Sequence, residues 1–296
     1  MELRDIEIFL TLAEELHFTR TAERLRVSPA RISQAIRKQE RQVGAQLFAR
    51  TSRSVRLTAI GEQLYRDLRP AYRELCAGLE RARLAAQGKI DVLSVGMLPC
   101  NAYDLRPYWE AFRARHPQWG LRIRHNPFIH PFEPLRNGDV DVLVSWLPIE
   151  EPDFTVGPVV FTEPRVLLAA PEHELAARSS VSIEAFGEFG ALSAAVPLPD
   201  YWEDAFIPFY TPSGRLIQRG PAVGQLDDIL TLVGTGEAVH HLGAHVARYH
   251  ARPDVRFVPI DDVPRLRWGL IWRAEAECER ILALARVVRD LGPVAL

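Results

Sequence analysis

A chain of 296 residues, 47% of them apolar, is too long for one ordinary hydrophobic core, so we expect two or three domains. No stretch approaches the ~18 uninterrupted apolar residues of a membrane span, and an acidic N-terminus with three widely separated cysteines argues against a signal peptide and a disulfide framework, which favours the cytosol. The formal net charge of −2 is close to zero and favours no class of binding partner, so the distribution of charge along the chain is more informative than its total.

The N-terminal residues predict two helices that support a third. Apolar residues at helical spacing predict a first helix over about Leu3–Leu16. Thr19 can cap a second, shorter helix that turns Ala22 and Leu25 inward. A tight polar joint then leads to Ser28, where the third helix is expected to begin.

The third predicted helix carries the most informative pattern in the chain. Ser28 can accept a hydrogen bond from a free N–H of the first turn, and Pro29 suits the first helical position because its missing N–H would have no partner there. Ile32, Ile36 and Val43 share one face, whereas the other face is polar and basic, with Ala30, Ser33, Gln34, Arg37 and Arg41. Such a helix, propped on a partner helix, is what a helix-turn-helix needs to enter a major groove. The sequence therefore predicts a protein that reads DNA.

Local charge supports this interpretation. Between Arg20 and Thr58 the chain has ten Arg or Lys but only Glu23 and Glu40 as acidic residues, a local net charge of +8. A basic segment inside a slightly acidic protein indicates a polyanion site. The alternative is a solvated helix face, which explains most charge runs, but here the charges fall opposite the apolar stripe.

A short wing is predicted after the third helix. Gly44 ends the helical pattern, and residues 50–58 alternate basic and apolar side chains, as in two short strands. A wing of this kind lies against phosphates or the minor groove. The predicted DNA-binding domain spans residues 1–58, and its candidate contacts are Ser28, Ala30, Arg31, Ser33, Gln34, Arg37, Lys38, Arg50, Arg53 and Arg56.

One long helix follows, over residues 59–89. Its apolar seam repeats at three- and four-residue steps, through Leu64, Leu68, Ala71, Leu75, Leu79, Ala82 and Ala86. A lone helix would expose this seam to water, so it needs a partner, most simply a second copy of the chain. Pro70 and Gly78 favour a kink or weak point, and Gly88-Lys89 marks a hinge.

Residues 90–296 have a different pattern of predicted secondary structure from the N-terminal residues. Short apolar strands alternate with helices, which predicts βα units on a mainly parallel sheet. The predicted strands are Val92–Met97, Leu121–His125, Val140–Trp146, Val166–Ala170, Ala191–Val196, Ala238–Leu242, Arg256–Ile260 and Leu266–Ile271. The predicted helices are Leu105–Arg115, Asp200–Phe209, Leu226–Val233 and Glu277–Leu291.

These elements suggest two α/β lobes. The last strand and helix can rejoin the first lobe, which would then hold about residues 90–162 and 266–296, leaving residues 163–265 for the second. Prolines near Glu163-Pro164 and Val263-Pro264 suit the crossing segments. Two lobes joined in this way form a cleft suited to a small ligand.

The chain resembles LysR-type transcriptional regulators over its full length. The specific part of the resemblance is Ala22-x-x-Leu25, Ser28, Ser33-x-x-Ile36, Glu40, Gly44, Leu47-Phe48-x-Arg50, Leu57-Thr58 and Gly61-Glu62. The C-terminal half is similar in outline, through Val95-Gly96, residues 138–141, Ala170-Pro-Glu-His173 and Trp272. The resemblance implies a winged helix-turn-helix, a long linker helix and a two-lobed α/β effector domain similar to periplasmic binding proteins. It also implies a homodimer or homotetramer that binds double-stranded DNA and a small-molecule effector.

The same resemblance assigns a set of effector-binding residues. Three segments follow predicted strands, at the edge where α/β sheets present side chains to ligands. Trp146 is the strongest candidate for a pocket wall, although an ordinary core residue at a strand end fits it equally well. The expected set is Pro99, Cys100, Asn101, Ser145, Trp146, Val196 and Leu198. His241 is added to it independently of the resemblance, as a histidine on a predicted strand that is expected to face the cleft and donate to a ligand.

Three departures from the family pattern affect specificity. Pro29 stands where the family usually has Gln, which removes a base contact, and Gln34 stands where Arg is common and can pair with adenine. Gln39 replaces the usual Leu in the apolar stripe, so its amide must find a partner or lie at the rim. An operator sequence borrowed from the family therefore does not carry over.

Other chemistry was weighed against this interpretation. His240, His241 and His245, with His250 nearby, resemble a zinc cluster, but the first two lie on a predicted strand and would point to opposite faces. Ser145 or Cys100 as a nucleophile lacks a Gly-x-Ser-x-Gly setting. We expect no metal, no cofactor and no catalysis; the alternative is a metabolic enzyme or solute-binding protein with an incidental helical N-terminus.

Overall fold

The computed structural model describes residues 2–50, 55–86, 88–126 and 130–296. The chain forms two compact units, Met1–Gln87 and Gly88–Leu296. Within the described ranges, none of the helices combines the length and apolar character needed to cross a membrane.

The N-terminal unit is mainly helical with a small hairpin. Its elements are α1 (Leu3–Glu15), α2 (Phe18–Leu25), α3 (Pro29–Val43), β1 (Phe48–Arg50), β2 (Val55–Leu57) and α4 (Ala59–Ala86). The antiparallel pairing of β1 with β2 is the predicted wing. Its core is formed by fully buried side chains of α1 and α3, including Ile8, Phe9, Ile32 and Ile36, and Phe9 meets Phe48 edge to face at 5.6 Å.

The ends of α3 follow the sequence prediction, whereas the start of α2 does not. Ser28 Oγ accepts a hydrogen bond from the Arg31 N–H at 3.3 Å, and Gly44 ends the helix with a φ of +79°. Thr19 is not the cap of α2, because the helix begins one residue earlier and His17 Nδ1 accepts from the Arg20 N–H instead. Val43 is also not a core residue: it lies in the last turn and is 40% exposed.

Gln39 is fully buried and finds one partner. Its Nε2 donates to the Asp5 carbonyl at 2.8 Å, which ties α3 to α1, and its Oε1 has no hydrogen-bond partner among the described residues. An apolar side chain at this position would contribute packing alone. The Gln39 amide gives up part of that packing and contributes one buried hydrogen bond instead.

Helix α4 runs through Pro70 without interruption of its helical assignment. Its first half is anchored, since Leu64, Leu68 and Tyr72 pack on the N-terminal core. Further along, Leu75 is 47% exposed and Leu79 is 52% exposed. Leu75 and Leu79 of the apolar seam are therefore largely uncovered among the described residues.

The first half of the C-terminal unit contains more strand than predicted. Its elements are β3 (Asp91–Met97), α5 (Arg106–Arg115), β4 (Trp119–His125), α6 (Glu133–Arg136), β5 (Val142–Trp146) and β6 (Phe154–Glu163). The ten-residue β6 was missed because Gly157-Pro158 interrupts its strand pattern.

The second half alternates short strands and helices. Its elements are β7 (Arg165–Ala169), α7 (Phe186–Phe189), β8 (Ala191–Ala194), α8 (Asp200–Phe206), β9 (Arg219–Val223), α9 (Leu226–Gly234), β10 (His240–Gly243), α10 (His245–Tyr249), β11 (Arg256–Ile260), β12 (Leu266–Arg273), α11 (Glu279–Leu291) and β13 (Val294–Ala295). Strand β9 was missed because it contains Gly220-Pro221 and is largely exposed, and β13 because it is only two residues long.

Two groups of sheets define two lobes. Lobe I is a six-stranded sheet in the order β13-β6-β12-β5-β3-β4, and lobe II combines the three-stranded sheet β10-β7-β11 with the pair β8-β9. The expectation of a mainly parallel arrangement holds only in part. β3 is parallel to β4 and β5, and β8 is parallel to β9, whereas β12 is antiparallel to both β5 and β6, and β7 is antiparallel to both of its neighbours. The reason is that β12 returns from lobe II and inserts between two strands of lobe I.

A steric test of the N-terminal unit compares two glycines of α4. A Cβ at Gly61 would lie 2.1 Å from the Leu47 carbonyl oxygen, whereas a Cβ at Gly78 would have only the Arg81 Nη2 within reach, at 3.7 Å. Gly61→Ala is expected to lower the free energy of unfolding by about 1–3 kcal/mol, and Gly78→Ala to raise it by about 0.5–1 kcal/mol through helix propensity. Urea denaturation followed by circular dichroism measures both; equal stability of the two variants contradicts the packing of α4 on Leu47.

Candidate functional sites

The outer face of α3 carries side chains that the protein does not use itself. Ala30, Arg31, Gln34 and Arg37 are exposed, and Ser33 is half-buried. Within the described residues, no hydrogen bond or ion pair involves the guanidinium groups of Arg31 and Arg37 or the amide of Gln34. The face therefore presents free donors and positive charge to solvent. Ser28, by contrast, is engaged as the cap of the helix.

Lys38 lies on α3 but faces α1. Its Nζ is 3.0 Å from Asp5 Oδ2 and 3.3 Å from Glu2 Oε1. The Asp5 carboxylate is only 3% exposed, so it needs this cation. The hydrogen bond to Asp5 raises the pKa of Lys38. Lys38 thus joins two helices, whereas Arg31 and Arg37, the other basic residues of α3 predicted to contact DNA, face solvent.

Arg50 in the wing is also engaged internally. Its Nη2 is 3.0 Å from Glu40 Oε2, and its guanidinium lies 4.9 Å from the centre of the Phe18 ring. Glu40 Oε1 accepts from the N–H groups of Leu47 and Phe48 at 3.1 and 3.4 Å. Glu40 therefore fixes the turn between α3 and the wing, and Arg50 completes that contact.

Arg56 and Arg53 are the remaining DNA-contact candidates in the wing. Arg56 on β2 is exposed, and no hydrogen bond or ion pair of its side chain occurs within the described residues. Arg53 lies outside the described residues. Of the two described wing arginines, Arg50 is paired with Glu40, and Arg56 is the one whose guanidinium is left available for a phosphate.

In the C-terminal unit, Trp146 and Trp202 form a stacked pair between the lobes. Their ring centres are 3.8 Å apart with an angle of 9° between the ring planes, and Trp202 Nε1 donates to the Trp146 carbonyl at 3.2 Å. Trp146 ends β5 of lobe I and Trp202 lies on α8 of lobe II. Phe206 and Trp268 contact Trp146 at 4.9 and 5.6 Å. Aromatic rings therefore fill this part of the junction between the lobes.

Trp202 was not among the predicted effector residues. A signal for it existed, because the segment that ends at Pro199 was expected to line the cleft and Trp202 follows it within one helical turn. The sequence could not show that its ring crosses to the other lobe, since that depends on how α8 is placed.

The other predicted effector residues are dispersed. Asn101 is 1% exposed, and Ser145, the penultimate residue of β5, is 4% exposed and pairs with Gly269 of β12. Successive residues of a strand face opposite sides, so Ser145 and Trp146 do not share a surface. Val196 and Leu198 are half-buried in the segment between β8 and α8. Pro99 and Cys100 belong to a 3-10 turn, Pro99–Ala102, and their side chains lie outside the description.

His241 is a core residue of lobe II and is fully buried. Its Nε2 hydrogen-bonds the Phe206 carbonyl, and its ring packs against Phe206 at 4.5 Å and Phe186 at 5.9 Å. His241 is therefore not exposed at the junction of the lobes, because α8 covers it, and its role in effector binding stays a prediction. Within the described ranges, no group of three or more His, Cys, Asp or Glu residues is placed to hold a metal ion.

Three basic side chains of lobe II converge on the C-terminus of α8. Arg165 donates from Nη1 to the Phe206 carbonyl and from Nη2 to the Ala205 carbonyl, each at 2.9 Å, and Arg219 Nη2 donates to the Ile207 carbonyl at 2.7 Å. His241 shares the Phe206 carbonyl. These donors satisfy carbonyls that a helix end leaves open. Burial lowers the pKa of Arg165 to about 10.

A fully buried carboxylate lies where the chain first crosses between the lobes. Glu163 accepts from Trp268 Nε1 at 2.7 Å, from the His245 N–H at 2.9 Å and from His245 Nδ1 at 2.8 Å. Glu163 and Trp268 are on β6 and β12, whereas His245 begins α10. A Cβ at Gly243 would lie 2.2 Å from the carboxylate, so only glycine fits there. Glu163 thus joins the two lobes.

Sequence comparisons identify both parts of the chain. Residues 3–62 match the profile of the bacterial regulatory helix-turn-helix protein, lysR family, and residues 86–292 match the LysR substrate binding domain. The chain belongs to the LysR family of transcriptional regulators. This LysR regulator therefore combines a DNA-binding helix-turn-helix with an effector-binding domain, and the fold class expected from the resemblance is confirmed.

Individual relatives agree with this placement. The transcriptional regulator IlvR of Caulobacter vibrioides is 31% identical over 99% of each chain. AlsR of Bacillus subtilis is 31% identical, but the match spans 62% of this chain and only 61% of AlsR. The solved structure of full-length CbnR complexed with its target DNA has a TM-score of 0.64 at 22% identity, over 99% of this chain and 100% of CbnR, which supports the fold.

Two further contacts connect the lobes of this LysR regulator. The Tyr201 hydroxyl of α8 donates to Glu151 Oε1 at 2.8 Å, and Arg248 of α10 pairs with Asp104 at 3.0 Å. Burial, with a contribution from the Glu151 carboxylate, raises the pKa of Tyr201 to about 12. The hydroxyl therefore remains a donor at neutral pH.

The role of Glu163 can be tested by removing its carboxylate. Glu163→Ala is expected to lower the free energy of unfolding of the C-terminal unit by about 3–5 kcal/mol, because the buried His245 and Trp268 donors lose their acceptor. Glu172→Ala, which removes an exposed carboxylate from the same unit, should change it by less than about 0.5 kcal/mol. Guanidinium denaturation measures both, and a Glu163→Ala variant as stable as the control contradicts the bridging role.

Proposed function

We propose that this regulator reads base sequence with the outer face of α3, chiefly through Gln34 and Arg37. The supporting observation is that these side chains are exposed and unused by the fold. Gln presents a donor and an acceptor to adenine N7 and N6, and Arg presents two donors to guanine O6 and N7. Ala30 leaves room for close approach of the helix to the base edges.

Other basic residues serve different purposes in this proposal. Arg31 and Arg56 contact phosphates, which sets affinity and register without reading sequence. Lys38 and Arg50 act indirectly, since they hold α1 and the wing against α3 through Asp5 and Glu40. Arg53 stays a predicted phosphate contact on sequence grounds alone.

Two copies of the chain are needed for this readout. The exposed apolar part of α4, with Leu75 and Leu79, supports pairing with a second copy, which would bury it. A dimer presents two recognition helices to two half-sites, so operator affinity depends on assembly.

The effector acts at the junction of the two lobes. The stack of Trp146 on Trp202 and the Tyr201–Glu151 hydrogen bond favour one arrangement of the lobes. A small molecule that binds another arrangement better shifts the population towards it, and DNA affinity changes in step. Trp146 remains a proposed effector residue, now together with Trp202.

We infer that this activity is regulatory rather than catalytic and is exerted in the cytoplasm. Relatives that match nearly the whole chain are transcriptional regulators. The DNA that such regulators bind lies in the cytoplasm of bacteria. The Ser145 hydroxyl considered as a nucleophile is buried within β5, where a substrate cannot reach it.

Base readout is tested by three substitutions. Gln34→Ala and Arg37→Ala should each weaken binding to the selected operator by about 1–3 kcal/mol and relax base preference. Arg56→Ala should weaken binding to all sequences alike and flatten the dependence of affinity on salt. Selection from a randomised duplex library, followed by fluorescence anisotropy at several salt concentrations, measures these effects.

The matched control for that experiment is Arg113→Ala, which removes one exposed positive charge from α5 in the C-terminal unit. It should leave both affinity and base preference close to wild type. If Gln34→Ala and Arg37→Ala select the same operator as wild type, the assignment of the reading face is wrong.

The effector site is tested through Trp146. A thermal-shift screen of small carboxylates, aromatics and amino acids supplies a compound that changes operator affinity of the wild type. Trp146→Ala should abolish that change while altering basal operator affinity less than about tenfold, because the substitution lies in the other unit. Trp119→Ala, in the edge strand β4, controls for loss of a tryptophan. A normal response of Trp146→Ala places the site elsewhere.

A further inference from the structure

Four polar atoms lie close together under α8 without a hydrogen-bond partner in the described structure. They are Arg165 Nε, Arg219 Nη1, His240 Nδ1 and His241 Nδ1, and each is buried; a fifth such atom, Arg219 Nε, has the Glu203 carboxylate 3.2 Å away. Arg165, Arg219 and His241 are held close by their contacts with the successive carbonyls of residues 205–207, and the two imidazole centres are 6.2 Å apart. Buried polar atoms almost always have partners. A cluster of four that lack them indicates a place for a polar ligand group.

The charge of the cluster specifies the kind of group. Arg165 is 8% exposed, and no carboxylate lies within ion-pair distance of it in the described residues. Glu203 pairs with Arg219 at 3.2 Å, and the carboxylate of the exposed Asp204 accepts from the Phe209 N–H. The carbonyls at the end of α8 offset only part of the charge of Arg165. A buried cation without an anion is costly, so the ligand group that fits is an anion.

The histidines suit an anion as well. The Phe206 carbonyl can only accept, so His241 carries its proton on Nε2 and its Nδ1 is unprotonated. Burial and the charges of Arg165 and Arg219 hold the pKa of His241 well below its ordinary value. In this neutral form the Nδ1 lone pair cannot donate to an anion, so His241 takes part only when a bound anion offsets the two arginine charges and the ring is protonated. Burial lowers the pKa of His240 to about 3 in the same way.

The cluster is linked to the junction of the lobes through one side chain. The Phe206 ring contacts His241 at 4.5 Å and Trp146 at 4.9 Å. Phe206 is the last residue of α8, the helix that also carries Trp202. A group that enters the cluster and shifts the end of α8 therefore moves the aromatic contact with lobe I. The Arg219 side chain is 21% exposed, which gives the cluster a route to solvent.

We propose that Arg165, Arg219, His240 and His241 form the anion-recognising part of the effector site, so that the effector is a small molecule with a carboxylate or phosphate group. The free Arg165 Nε and Arg219 Nη1 donate to the anion, and its body lies against Phe206 and the tryptophan stack. This inference rests on the proposed effector function of the C-terminal unit.

The test uses full-length protein and three probes at constant ionic strength. Benzoate supplies a carboxylate on an apolar body, benzamide is its neutral counterpart, and inorganic phosphate represents the other anion. Calorimetric titration should show that benzoate or phosphate binds the wild type at least about tenfold more tightly than benzamide, since charge-assisted hydrogen bonds are the stronger ones. Which anion binds decides between a carboxylate and a phosphate effector. Equal binding of benzoate and benzamide with no binding of phosphate overturns the proposal.

Variants locate the binding. Arg165→Met keeps most of the side-chain volume without the charge and should reduce anion affinity at least about tenfold. Arg256→Met removes an exposed arginine from β11 of the same lobe and should bind as wild type does. If Arg165→Met does not fold, Arg219→Met at the more exposed edge of the cluster takes its place, with circular dichroism confirming its fold. Wild-type anion affinity in a folded variant of either arginine overturns the assignment.

Operator binding separates this inference from the function on which it rests. The bound anion should change the affinity of the wild type for operator DNA, and the arginine variant should lose that change while still binding the operator. Anion binding that leaves operator affinity unchanged overturns the link to the effector, although readout by α3 still stands. Failure of the wild type to bind any duplex would instead remove the proposed function itself.

Discussion

The position of one seven-residue helix, α8, determines how the two lobes meet. Its C-terminal carbonyls are held by guanidinium groups of Arg165 and Arg219 from lobe II. Its side chains reach lobe I, where Trp202 stacks on Trp146. So short a helix has little stability of its own, and tertiary contacts must fix it. One end of α8 is bound to lobe II and one face packs on lobe I. A displacement of the helix at either contact therefore changes the geometry of the other contact.

Glu163 complements this arrangement at the crossover. It is fully buried, and it collects donors from both lobes, Trp268 on one side and His245 on the other. A carboxylate with three good donors tolerates burial, whereas the donors would be costly without it. The carboxylate thus provides a fixed pivot, and the aromatic contact of α8 provides a part that a ligand can displace. Family membership explains why such a two-lobed domain follows a helix-turn-helix.

In the N-terminal unit, the same electrostatic logic divides the basic residues into two classes. Lys38 and Arg50 neutralise Asp5 and Glu40 and thereby hold helices and wing together. Arg31 and Arg37 on the outer face have no such partner among the described residues, which is the basis for proposing that they contact DNA. A count of positive charge overstates the DNA-contacting surface, because part of that charge stabilises the fold.

The sequence by itself determined the features that depend on neighbours along the chain. Ser28 and Gly44 mark the ends of α3 correctly, and the apolar spacing identifies its buried face, because capping and helical periodicity act within one or two turns. Only the tertiary structure decided the contacts between distant residues. Lys38 meets Asp5 33 positions away and Arg165 meets the Phe206 carbonyl 41 positions away, and neither pairing follows from local pattern. His241 is buried under α8 rather than exposed on the cleft for the same reason: its environment is made by α8, whose placement depends on both lobes at once.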